Sequence, residues 1–436
     1  MLRLASSQFF IPREEDQFNQ MFRRVRLMPL YSMVHIKELN LNLRDNTRNI
    51  FFHMDIDAFF AQVEERDNPK YKKMPISVGG WGDFGGICMT CNYEARRLGV
   101  DTGMSVVEAK NICPELISLP CDGQKYESIV FEIQEIAKQY FPEDQMEQYS
   151  IDECFWSGKG LFKNIDEAEK FAQKIKKEIY KYQKLTVSIG LSYNKSYAKM
   201  ATKFNKPDGL TVIRPQDKEK MLYKLPVSKL WGIAHRMERR MNAMGIITLG
   251  DLAKYNSHWI RKEFGINGIV LQKCASGNDT SDIFVKPFDS EKMIGHHHTM
   301  QTDIYDEDEV KAEIRRMCEY VARKLRSKNK VTGRVSLYIR FDNLYSTGGE
   351  YKFKNFYTNN DDEIFSAVLE IYKNFKYKPH KFCQLRMTGI DCGQLHTDTG
   401  ERNLKLFEEE KNLPFKELDF LKMKYGESII RLGLAS

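Results

Sequence analysis

The sequence lacks the features of a secreted or membrane-bound protein. No apolar run is long enough to span a bilayer, and the first residues lack the apolar core and small-residue cleavage site of a secretory signal. The nine cysteines are scattered and do not supply the two CxxC pairs of a structural zinc site, so neither a zinc centre nor a disulfide framework is expected. We therefore expect a cytoplasmic protein with reduced thiols and no membrane partner. Internal repeats and low-complexity segments are also absent.

The bulk composition allows several folded domains. The chain has 436 residues, and its 42% hydrophobic content is enough to build several cores. Lys and Arg number 67 against 60 Asp and Glu, which gives a net charge of +7. This excess fits a nucleic-acid partner only if the basic residues are clustered, and a mildly basic protein without such a partner fits equally well.

An apolar run that ends in two aspartates is the first candidate site. Ile50 to Met54 is apolar except for His53, Asp55 and Asp57 follow, and Ala58 to Glu65 is typical of the first turns of a helix. A carboxylate at the end of a buried strand is costly unless it has a partner, and a metal ion is one such partner. A strand-end turn with solvated aspartates explains this stretch equally well.

A second stretch, Tyr149 to Phe155, places two adjacent carboxylates between apolar residues. Neighbouring strand residues point to opposite faces, so a turn is needed for Asp152 and Glu153 to reach one site. Oxygen-only ligands from Asp55, Asp152 and Glu153 would suit magnesium, and two such ions would stabilise an in-line phosphoryl displacement. A solvated acidic turn is the alternative interpretation.

With these two stretches and four further motifs, the chain resembles the Y-family translesion DNA polymerases, the DinB/UmuC superfamily. The resemblance covers roughly residues 50 to 430. The further motifs, which agree in order and spacing, are Thr90 to Arg96, Gly99 to Ala109, Gly190 to Lys199, and Asn205 to Gly209.

The resemblance implies an α+β multidomain fold, that of a right-hand polymerase with palm, fingers, thumb and little-finger domains. From about residue 293, the sequence pattern itself predicts the order β-α-β-β-α-β, a known compact unit that matches the little finger. In its second strand, Val335, Leu337, Ile339 and Phe341 alternate with polar residues, which would leave Arg334 and Arg340 on an open sheet face. The expected divisions are an N-terminal extension (1–48), palm (49–58 and 121–213), fingers (59–120), a thumb of helix-hairpin-helix type (214–282), linker (283–292), little finger (293–397) and C-terminal tail (398–436).

The activity implied by the resemblance is template-directed DNA synthesis past damaged bases, with low fidelity and without proofreading. Asp55, Asp152 and Glu153 would be catalytic and would hold two Mg²⁺ ions, with the Ile56 carbonyl as a further ligand. The 3′-hydroxyl of the primer would attack the α-phosphate of a dNTP. The expected partners are primer-template DNA and dNTP, and the protein is expected to be a monomer.

The family pattern also implies a set of nucleotide-binding residues. Phe60 stands at the position of the steric gate that excludes the ribose 2′-hydroxyl. Tyr93 and Arg96 are three residues apart, so they would share one helix face, although an ordinary surface pair would have the same spacing. The full set is Phe59, Phe60, Thr90, Tyr93, Arg96 and Lys206.

Contacts with DNA and with a sliding clamp are implied at further positions. The DNA-binding candidates are Gly86, Arg236, Arg334 and Arg340. In the expected thumb hairpin, Ala234 replaces the second glycine of the family pattern, so the backbone would approach phosphate less closely. The clamp-binding candidates are Leu404, Leu406 and Phe407. Asn403 stands where the clamp peptide usually has glutamine, and a plain amphipathic segment is the alternative.

Two other functions remain open from the sequence. One is a restricted nucleotidyl transferase that adds a preferred nucleotide without full template reading. The other is a catalytically inert scaffold that binds DNA or a clamp. A scaffold has no need of the three carboxylates, so the sequence favours the polymerase.

Overall fold

The computed structural model describes residues 49–79, 85–284, 291–354, 356–399 and 415–425. The chain divides into two compact units: the first contains residues 87–285 and everything before residue 84, and the second contains residues 84–86 and 286–436. The expected N-terminal extension and the clamp-binding candidates Leu404, Leu406 and Phe407 lie outside the described residues. No helix in the described part of the chain is long and apolar enough to cross a membrane.

The first unit combines sheets with helices in both its N-terminal and central parts and is helical towards its end. In chain order its elements are β1 (Phe51–Ile56), α1 (Phe59–Asp67), β2 (Ile76–Val78), β3 (Thr90–Cys91), α2 (Tyr93–Arg97), α3 (Val106–Ile112), β4 (Ile117–Leu119), α4 (Gly123–Lys138), β5 (Met146–Gln148), β6 (Glu153–Ser157), α5 (Ile165–Gln183), β7 (Val187–Ser192), α6 (Lys195–Thr202), β8 (Leu210–Ile213), α7 (Lys218–Met221), α8 (His235–Ala243), α9 (Leu249–Lys254) and α10 (Ser257–Ser276).

A five-stranded sheet of order β5-β6-β1-β7-β8 forms the centre of this unit. Its middle strand β1 is buried along its whole length and is antiparallel to both β6 and β7. Side chains alternate between the faces of a strand. Phe52, Met54 and Ile56 therefore join the hydrophobic core with α4 and α5. His53 and Asp55 face the other side, where α6 packs against the sheet.

The close packing of α6 depends on Gly190 in β7. A Cβ atom at Gly190 would stand 2.1 Å from the Ala198 carbonyl oxygen and 2.5 Å from the Thr202 nitrogen, so no larger residue fits there. Helix α6 begins at the cap residue Asn194, whose side chain accepts a hydrogen bond from the Tyr197 backbone. Lys199 and Thr202 are thereby held against the strand that carries His53 and Asp55.

A small three-stranded sheet of order β3-β2-β4 contributes Ile76 and Val78 of its middle strand to the core of the central sheet, while Cys91 of β3 joins a separate small core with α2 and α3. Asn92 caps α2 by accepting a hydrogen bond from the Ala95 backbone, and its amide group also bonds to Glu65 at 2.7 Å. Cys88 and Cys91 form one CxxC spacing, but both are reduced and fully buried. Burial raises the pKa of Cys91 to about 12, as expected for a core thiol rather than a metal ligand.

The helical part of the first unit forms a further core from α6 and the segment 213–275, which includes Leu230, Met241, Leu249 and Ile260. Thr248 and Asp251 form a capping box at the start of α9. Helix α10 is broken at Gly265, whose φ of 65° lies in the left-handed region. The sequence prediction located one hairpin in this region, near Trp231 to Arg236, and missed this second turn.

The second unit has the predicted β-α-β-β-α-β order. Its elements are β9 (Met293–Ile304), α11 (Glu307–Ser327), β10 (Lys330–Phe341), β11 (Ser346–Lys352), α12 (Asp361–Lys373), β12 (Leu385–Thr397) and α13 (Phe415–Tyr425). The strands form one antiparallel sheet of order β11-β10-β12-β9. The predicted alternation along β10 is confirmed, because Val335, Leu337, Ile339 and Phe341 lie in the core with α11 and α12.

Helix α13 contacts the second unit through charged side chains. Asp419 accepts two hydrogen bonds from Arg326, at 2.7 and 2.8 Å. Lys422 pairs with the buried Glu319. This helix follows the clamp-binding candidates in the chain and was not predicted, since its apolar pattern is weak.

Candidate active site

The register of the central sheet brings the predicted carboxylates together. Asp55 is the direct partner of Glu153 across β1 and β6, and Asp55 is only 8% exposed. The Ile56 backbone donates a hydrogen bond of 3.0 Å to the Asp152 carbonyl, which fixes the two chain segments to each other. Asp152 and Glu153 are therefore neighbours of Asp55 in space as well as neighbours of each other in sequence.

The turn that the sequence required before β6 is present. The backbone nitrogens of Tyr149 and Ser150 both donate to the Glu153 carbonyl, at 3.0 and 3.1 Å. The Ser150 hydroxyl donates to Asp152 Oδ1 at 2.6 Å, and it lies 3.4 Å from Glu153 Oε2. The Ser150 hydroxyl therefore contacts both adjacent carboxylates, as expected if they face one site.

Two lysines contact the carboxylates directly. Lys206 Nζ pairs with Asp55, and Lys199 Nζ pairs with Glu153. Burial raises the pKa of Asp55 to about 6; Lys206 opposes this rise, whereas the negative charges of Asp152 and Glu153 add to it. Lys206, which the resemblance assigned to the nucleotide, thus contacts a carboxylate in this structure, and so does Lys199.

A metal ion would have to share this site with the lysines. Within the described ranges, no three or more His, Cys, Asp or Glu side chains have the arrangement of a metal centre. The donor set nevertheless fits a hard cation, because Asp55, Asp152 and Glu153 are neighbours and their carboxylates offer only oxygen ligands. The two ammonium groups now supply the positive charge that these oxygens attract.

A buried hydrogen-bond network lies next to the carboxylates, centred on His53. The Lys199 ammonium can only donate and lies 3.4 Å from His53 Nε2, so Nε2 accepts and the ring proton is on Nδ1. Nδ1 therefore donates to Thr202 Oγ1 at 2.8 Å. The Thr202 hydroxyl in turn donates to the carbonyl of His53 or Ala198, each 3.1 Å away. Burial, with Lys199 and other lysines nearby, holds the pKa of His53 well below its usual value, so the ring stays neutral.

Lys199 is held on three sides by this network. Besides Glu153 and His53, its ammonium lies 4.6 Å from the centre of the Tyr149 ring. Sequence reasoning missed His53 and treated it as an interruption of an apolar run. Its position two residues before Asp55 was the available signal, since residues i and i+2 of a strand share a face.

Asp57 stabilises the loop that carries Lys206. It is 1% exposed and accepts hydrogen bonds from the Ser188 hydroxyl and the Asp208 backbone, both at 2.7 Å. Its carboxylate is thus paired with neutral donors rather than with a cation. This contact anchors the segment after Pro207 beside β1 and β7, and so places Lys206 next to Asp55.

The predicted pair Tyr93 and Arg96 does share one helix face. The Arg96 guanidinium lies 5.3 Å from the Tyr93 ring centre, and its Nε donates to the Cys91 carbonyl at 3.0 Å. Both residues line a cavity of about 440 Å³ together with Arg97 and Pro207.

The hydroxyl of Tyr93 is buried and has no hydrogen-bond partner among the described residues. Burial and the negative charge of Asp57 raise the pKa of Tyr93 to about 12, with a smaller rise from Asp55 and an opposing effect from Arg96. A neutral hydroxyl without a partner, beside a guanidinium, is suited to donate to an oxyanion.

The two phenylalanines of α1 are both buried. Phe59 is 2% exposed and Phe60 is 8% exposed. The Phe60 ring stacks on Tyr126 with a centroid distance of 4.3 Å and an interplanar angle of 16°. The Tyr126 hydroxyl donates to Glu64 Oε1 at 2.6 Å, so this ring is itself held in place. Thr90, on β3, is half-buried and pairs with Val78.

The DNA-binding candidates have different surroundings. Gly86 is exposed and has a φ of 82°, and Arg236 is exposed on α8. Arg334 and Arg340 lie on the face of β10 that does not join the core, as predicted. Arg334 contacts Glu350 at 3.3 Å, and Arg340 donates to the Tyr338 hydroxyl at 2.9 Å. None of these contacts tests a role in DNA binding.

Comparison with protein families gives two matches. Residues 54–203 match the impB/mucB/samB family, and residues 291–406 match the impB/mucB/samB family C-terminal domain. The chain is 34% identical to a DNA polymerase IV of Streptococcus sanguinis, over 80% of this chain and 98% of that protein. It is 31% identical to DNA polymerase IV 2 of Methanosarcina mazei, over 82% of this chain and 95% of that protein.

Solved structures give the same grouping. A chimera of the Y-family DNA polymerases Dbh and Dpo4 is similar with a TM-score of 0.71 and 28% identity, over 80% of this chain and 99% of that chain. An insertion ternary complex of Dbh DNA polymerase is similar with a TM-score of 0.56 and 28% identity, over 79% of this chain and 98% of that chain.

Proposed function

Because the chain belongs to the Y family of DNA polymerases, the DinB/UmuC superfamily of translesion enzymes, we propose that Asp55, Asp152 and Glu153 are its catalytic carboxylates. Family membership makes the protein a DNA-directed DNA polymerase that depends on a divalent metal and acts on DNA and dNTP. One observation carries the residue assignment. Asp55 and Glu153 are register partners on two central strands, Asp152 is adjacent, and the cluster attracts two lysine ammonium groups.

The domain assignment follows the sheets and helices of the chain, and the core of the central sheet also includes Phe59, Phe60 and Ile76 of the proposed fingers. The proposed palm (49–58 and 121–213) contains the central sheet, the fingers (59–120) the small sheet, and the thumb (214–282) the helical core. Residues 293–397 of the second unit are the proposed little finger. The assignment is supported by the position of the carboxylates, which lie on the sheet that the family places in its palm.

Two Mg²⁺ ions are the proposed cofactor. Asp55, Asp152, Glu153 and the Ile56 carbonyl would hold them. When bound, the metal would lower the pKa of the primer 3′-hydroxyl and neutralise charge on the transferred phosphoryl group. The protein's own part is to hold the carboxylates at fixed positions, which the turn from Tyr149 to Glu153 does through Ser150 and two backbone hydrogen bonds.

Tyr93, Arg96 and Lys206 are the proposed triphosphate ligands. The hydroxyl of Tyr93 has no partner among the described residues, and the Arg96 guanidinium lies on the same side of the helix. Lys206 contacts Asp55, so a cation at that carboxylate would compete with the ammonium and release it for a phosphate oxygen. All three residues would then offset negative charge that develops during phosphoryl transfer.

Lys199 has a different proposed task from Lys206. It is 5% exposed and is fixed by Glu153, His53 and Tyr149, so it cannot reach a substrate without leaving these partners. We assign it to orienting the carboxylate of Glu153. The neutral His53 ring accepts a hydrogen bond from the Lys199 ammonium and so helps to hold it in place.

The proposal extends to partners that are not described by the structure. The tail segment Asn403 to Phe407 is the proposed sliding-clamp motif, and the protein is proposed to act as a monomer. Both are testable by mixing the full chain with its sliding clamp and measuring the mass of the complex.

Primer extension in the presence and absence of Mg²⁺ tests the proposed site. We expect Asp152→Asn and Glu153→Gln each to lower the extension rate by about 10³-fold, since each removes electrostatic stabilisation made in the transition state. Affinity for primer-template should remain within about two-fold, because phosphate contacts elsewhere dominate DNA binding. Asp144→Asn, at an exposed carboxylate eight residues before Asp152, is the matched control.

The outcome is read against two alternatives. Near-normal extension in either variant would show that the carboxylate assignment is wrong. Incorporation measured opposite each of the four template bases separates a template-directed polymerase from a restricted nucleotidyl transferase, because only the polymerase changes its preferred nucleotide with the template.

A further inference from the structure

The second unit carries an exposed aromatic surface that the proposed polymerase site does not use. It consists of Tyr345, Tyr377 and Phe382, which are 52%, 54% and 87% exposed, and Leu344, next to Tyr345 in the chain, is 67% exposed. The rings of Tyr345 and Tyr377 are 6.1 Å apart and nearly perpendicular. Single exposed apolar residues are ordinary, but a group of them at one end of a sheet indicates an interaction surface.

Hydrogen bonds hold the two loops of this surface together. The Asp342 backbone donates to the Gln384 carbonyl at 2.9 Å, and the Asn343 amide group contacts Cys383 Sγ at 3.5 Å. The loop after β10 and the loop before β12 are therefore joined, and the rings of Tyr345 and Tyr377 make a further contact between them.

The tip of the second loop is a closed turn. The backbone nitrogens of His380 and Cys383 donate to each other's carbonyls, at 3.0 and 2.8 Å. The Phe382 backbone nitrogen donates to His380 Nδ1 at 3.3 Å. This turn fixes the backbone of Lys381 and Phe382 and leaves their side chains pointing away from the core, so little conformational entropy is lost when Phe382 meets a partner.

In the chain segment that carries Tyr377 and Phe382, all charged side chains are positive. Residues 371–390 contain no Asp or Glu, and they contain five basic residues: Lys373, Lys376, Lys378, Lys381 and Arg386. Arg386 pairs with Asp303 at 2.7 Å. None of the four lysines forms an ion pair with a carboxylate of the described residues, and Lys376 lies 5.4 Å from the centre of the Tyr377 ring. Lys376 and Lys378 flank Tyr377 in the chain and Lys381 precedes Phe382, although the Lys378 ammonium lies 5.2 Å from the centre of the Tyr372 ring.

We propose that the aromatic surface and its lysines bind single-stranded DNA, the unpaired part of the template strand. Aromatic rings stack on base faces, and lysines follow the phosphates. In duplex DNA the base faces are covered by neighbouring base pairs, so the rings would have no partner there. The carboxylates of an acidic peptide would pair with the lysines, but they would offer no surface on which the Phe382 ring could stack. The proposal rests on the proposed function only in naming the strand as template.

Binding of the full chain to two labelled primer-templates tests this inference. The two primer-templates have the same duplex. One has a short 5′ template overhang, and the other has a long one. We expect the long overhang to bind more tightly, and Phe382→Ala to lower affinity for it by about five-fold, as loss of one stacked base predicts. Affinity for the short overhang should not change.

Phe131→Ala is the matched control. Phe131 is 62% exposed on α4 and has Lys138 at 6.0 Å, so it has the same chemistry without the surrounding surface. It should leave both affinities unchanged. A second variant, Lys378→Ser with Lys381→Ser, should reduce the slope of log affinity against log salt by about 0.7 for each phosphate that the variant no longer neutralises, on the long overhang only.

Three results would overturn the proposal: equal affinity of Phe382→Ala and the unmodified protein for the long overhang, an equal loss on both substrates, or displacement of the overhang by a poly-glutamate peptide but not by a thymidine oligomer. The last result would identify an acidic peptide as the partner. Primer extension on the short-overhang substrate is measured in parallel and should be normal in Phe382→Ala. That readout reports on the proposed polymerase site alone, so a failure there is distinct from a failure of strand binding.

Discussion

At the scale of single residues, the two aspartates after the first apolar run have different partners. Asp57 accepts two hydrogen bonds from neutral groups and stabilises the loop of residues 206–209. Asp55 pairs with the Lys206 ammonium, and burial raises its pKa to about 6. Of these two aspartates, only Asp55 has a cationic partner among the described residues. The sequence places both at the end of β1, and their separate roles depend on residues about 150 positions later.

Sugar selection is the first prediction at this scale. Phe60→Ala should raise the ratio of ribonucleotide to deoxyribonucleotide incorporation by about 10- to 100-fold, the range over which a pocket discriminates one hydroxyl group. In the unmodified protein the Phe60 ring would collide with the 2′-hydroxyl of a ribonucleotide. Its stacking on Tyr126 keeps the ring from moving aside. The measurement is the ratio of incorporation efficiencies for matched rNTP and dNTP pairs.

Two variants serve as controls for the gate. Tyr126→Phe keeps the ring behind Phe60 and removes only the hydroxyl that donates to Glu64, so the ratio should stay near that of the unmodified protein. Phe59→Ala should lower the free energy of unfolding by about 3–5 kcal/mol, because it removes a fully buried ring. A ratio that is unchanged in Phe60→Ala would place Phe60 in the core with Phe59.

At the scale of elements, the sequence predicted those whose side-chain pattern has one clear period. Strand β10 alternates from Arg334 to Phe341 because one face meets α11 and α12 while the other does not. Helix α5, Ile165–Gln183, also has a clear period in the sequence, since Ile175 and Ile179 repeat at helical spacing.

Structural features that depend on residues far apart in the chain could not be predicted from the local sequence pattern. The break of α10 at Gly265 gives no signal beyond one glycine in an otherwise helical run. The network of His53, Thr202 and Lys199 joins residues up to 149 positions apart, so periodicity carries no information about it. The carboxylates were found because their residue types are unusual inside apolar runs, whereas histidine and lysine are not.

The stability of the segment after α10 gives a prediction at this scale. Asp279 accepts hydrogen bonds from the Ser196 backbone and hydroxyl, at 3.0 and 2.6 Å, and from Ser281. Burial alone would raise its pKa, but these donors outweigh it and the pKa lies below the usual value. A lowered pKa means that the ionised form contributes stability above the unfolded pKa, near 4, and that this contribution is lost as pH falls through the folded pKa.

Asp279→Asn should therefore lower the free energy of unfolding by about 1–3 kcal/mol at pH 7, the size of a charge-assisted hydrogen bond. The difference from the unmodified protein should shrink below about pH 4. Thermal unfolding at a series of pH values measures it. Asp282→Asn is the control, because that exposed carboxylate accepts only from the adjacent Ile283 backbone. A difference that stays constant over the whole pH range would contradict the assignment.

At the scale of the whole molecule, each of the two units has its own hydrophobic core. The core of the central sheet includes Ile189 on β7, and the core of the second unit includes Leu337 on β10. Chain length and hydrophobic content predicted several domains, and the β-α-β-β-α-β order predicted the second unit. The presence of α13 in this unit was not predictable, because it depends on the charges of the buried Glu319 and the half-buried Arg326 rather than on an apolar stripe.

Separate cores should give separate unfolding events. Ile189→Ala and Leu337→Ala remove side chains that are 0% and 1% exposed, and each should cost its own unit about 2–5 kcal/mol. In hydrogen exchange followed by mass spectrometry, Leu337→Ala should speed exchange in peptides from residues 293–397, and Ile189→Ala in peptides from the central sheet. Each variant should leave the other set of peptides at the rate of the unmodified protein, since local opening reports the stability of its own cooperative unit. Faster exchange across both sets in both variants would instead show that the two cores unfold as one.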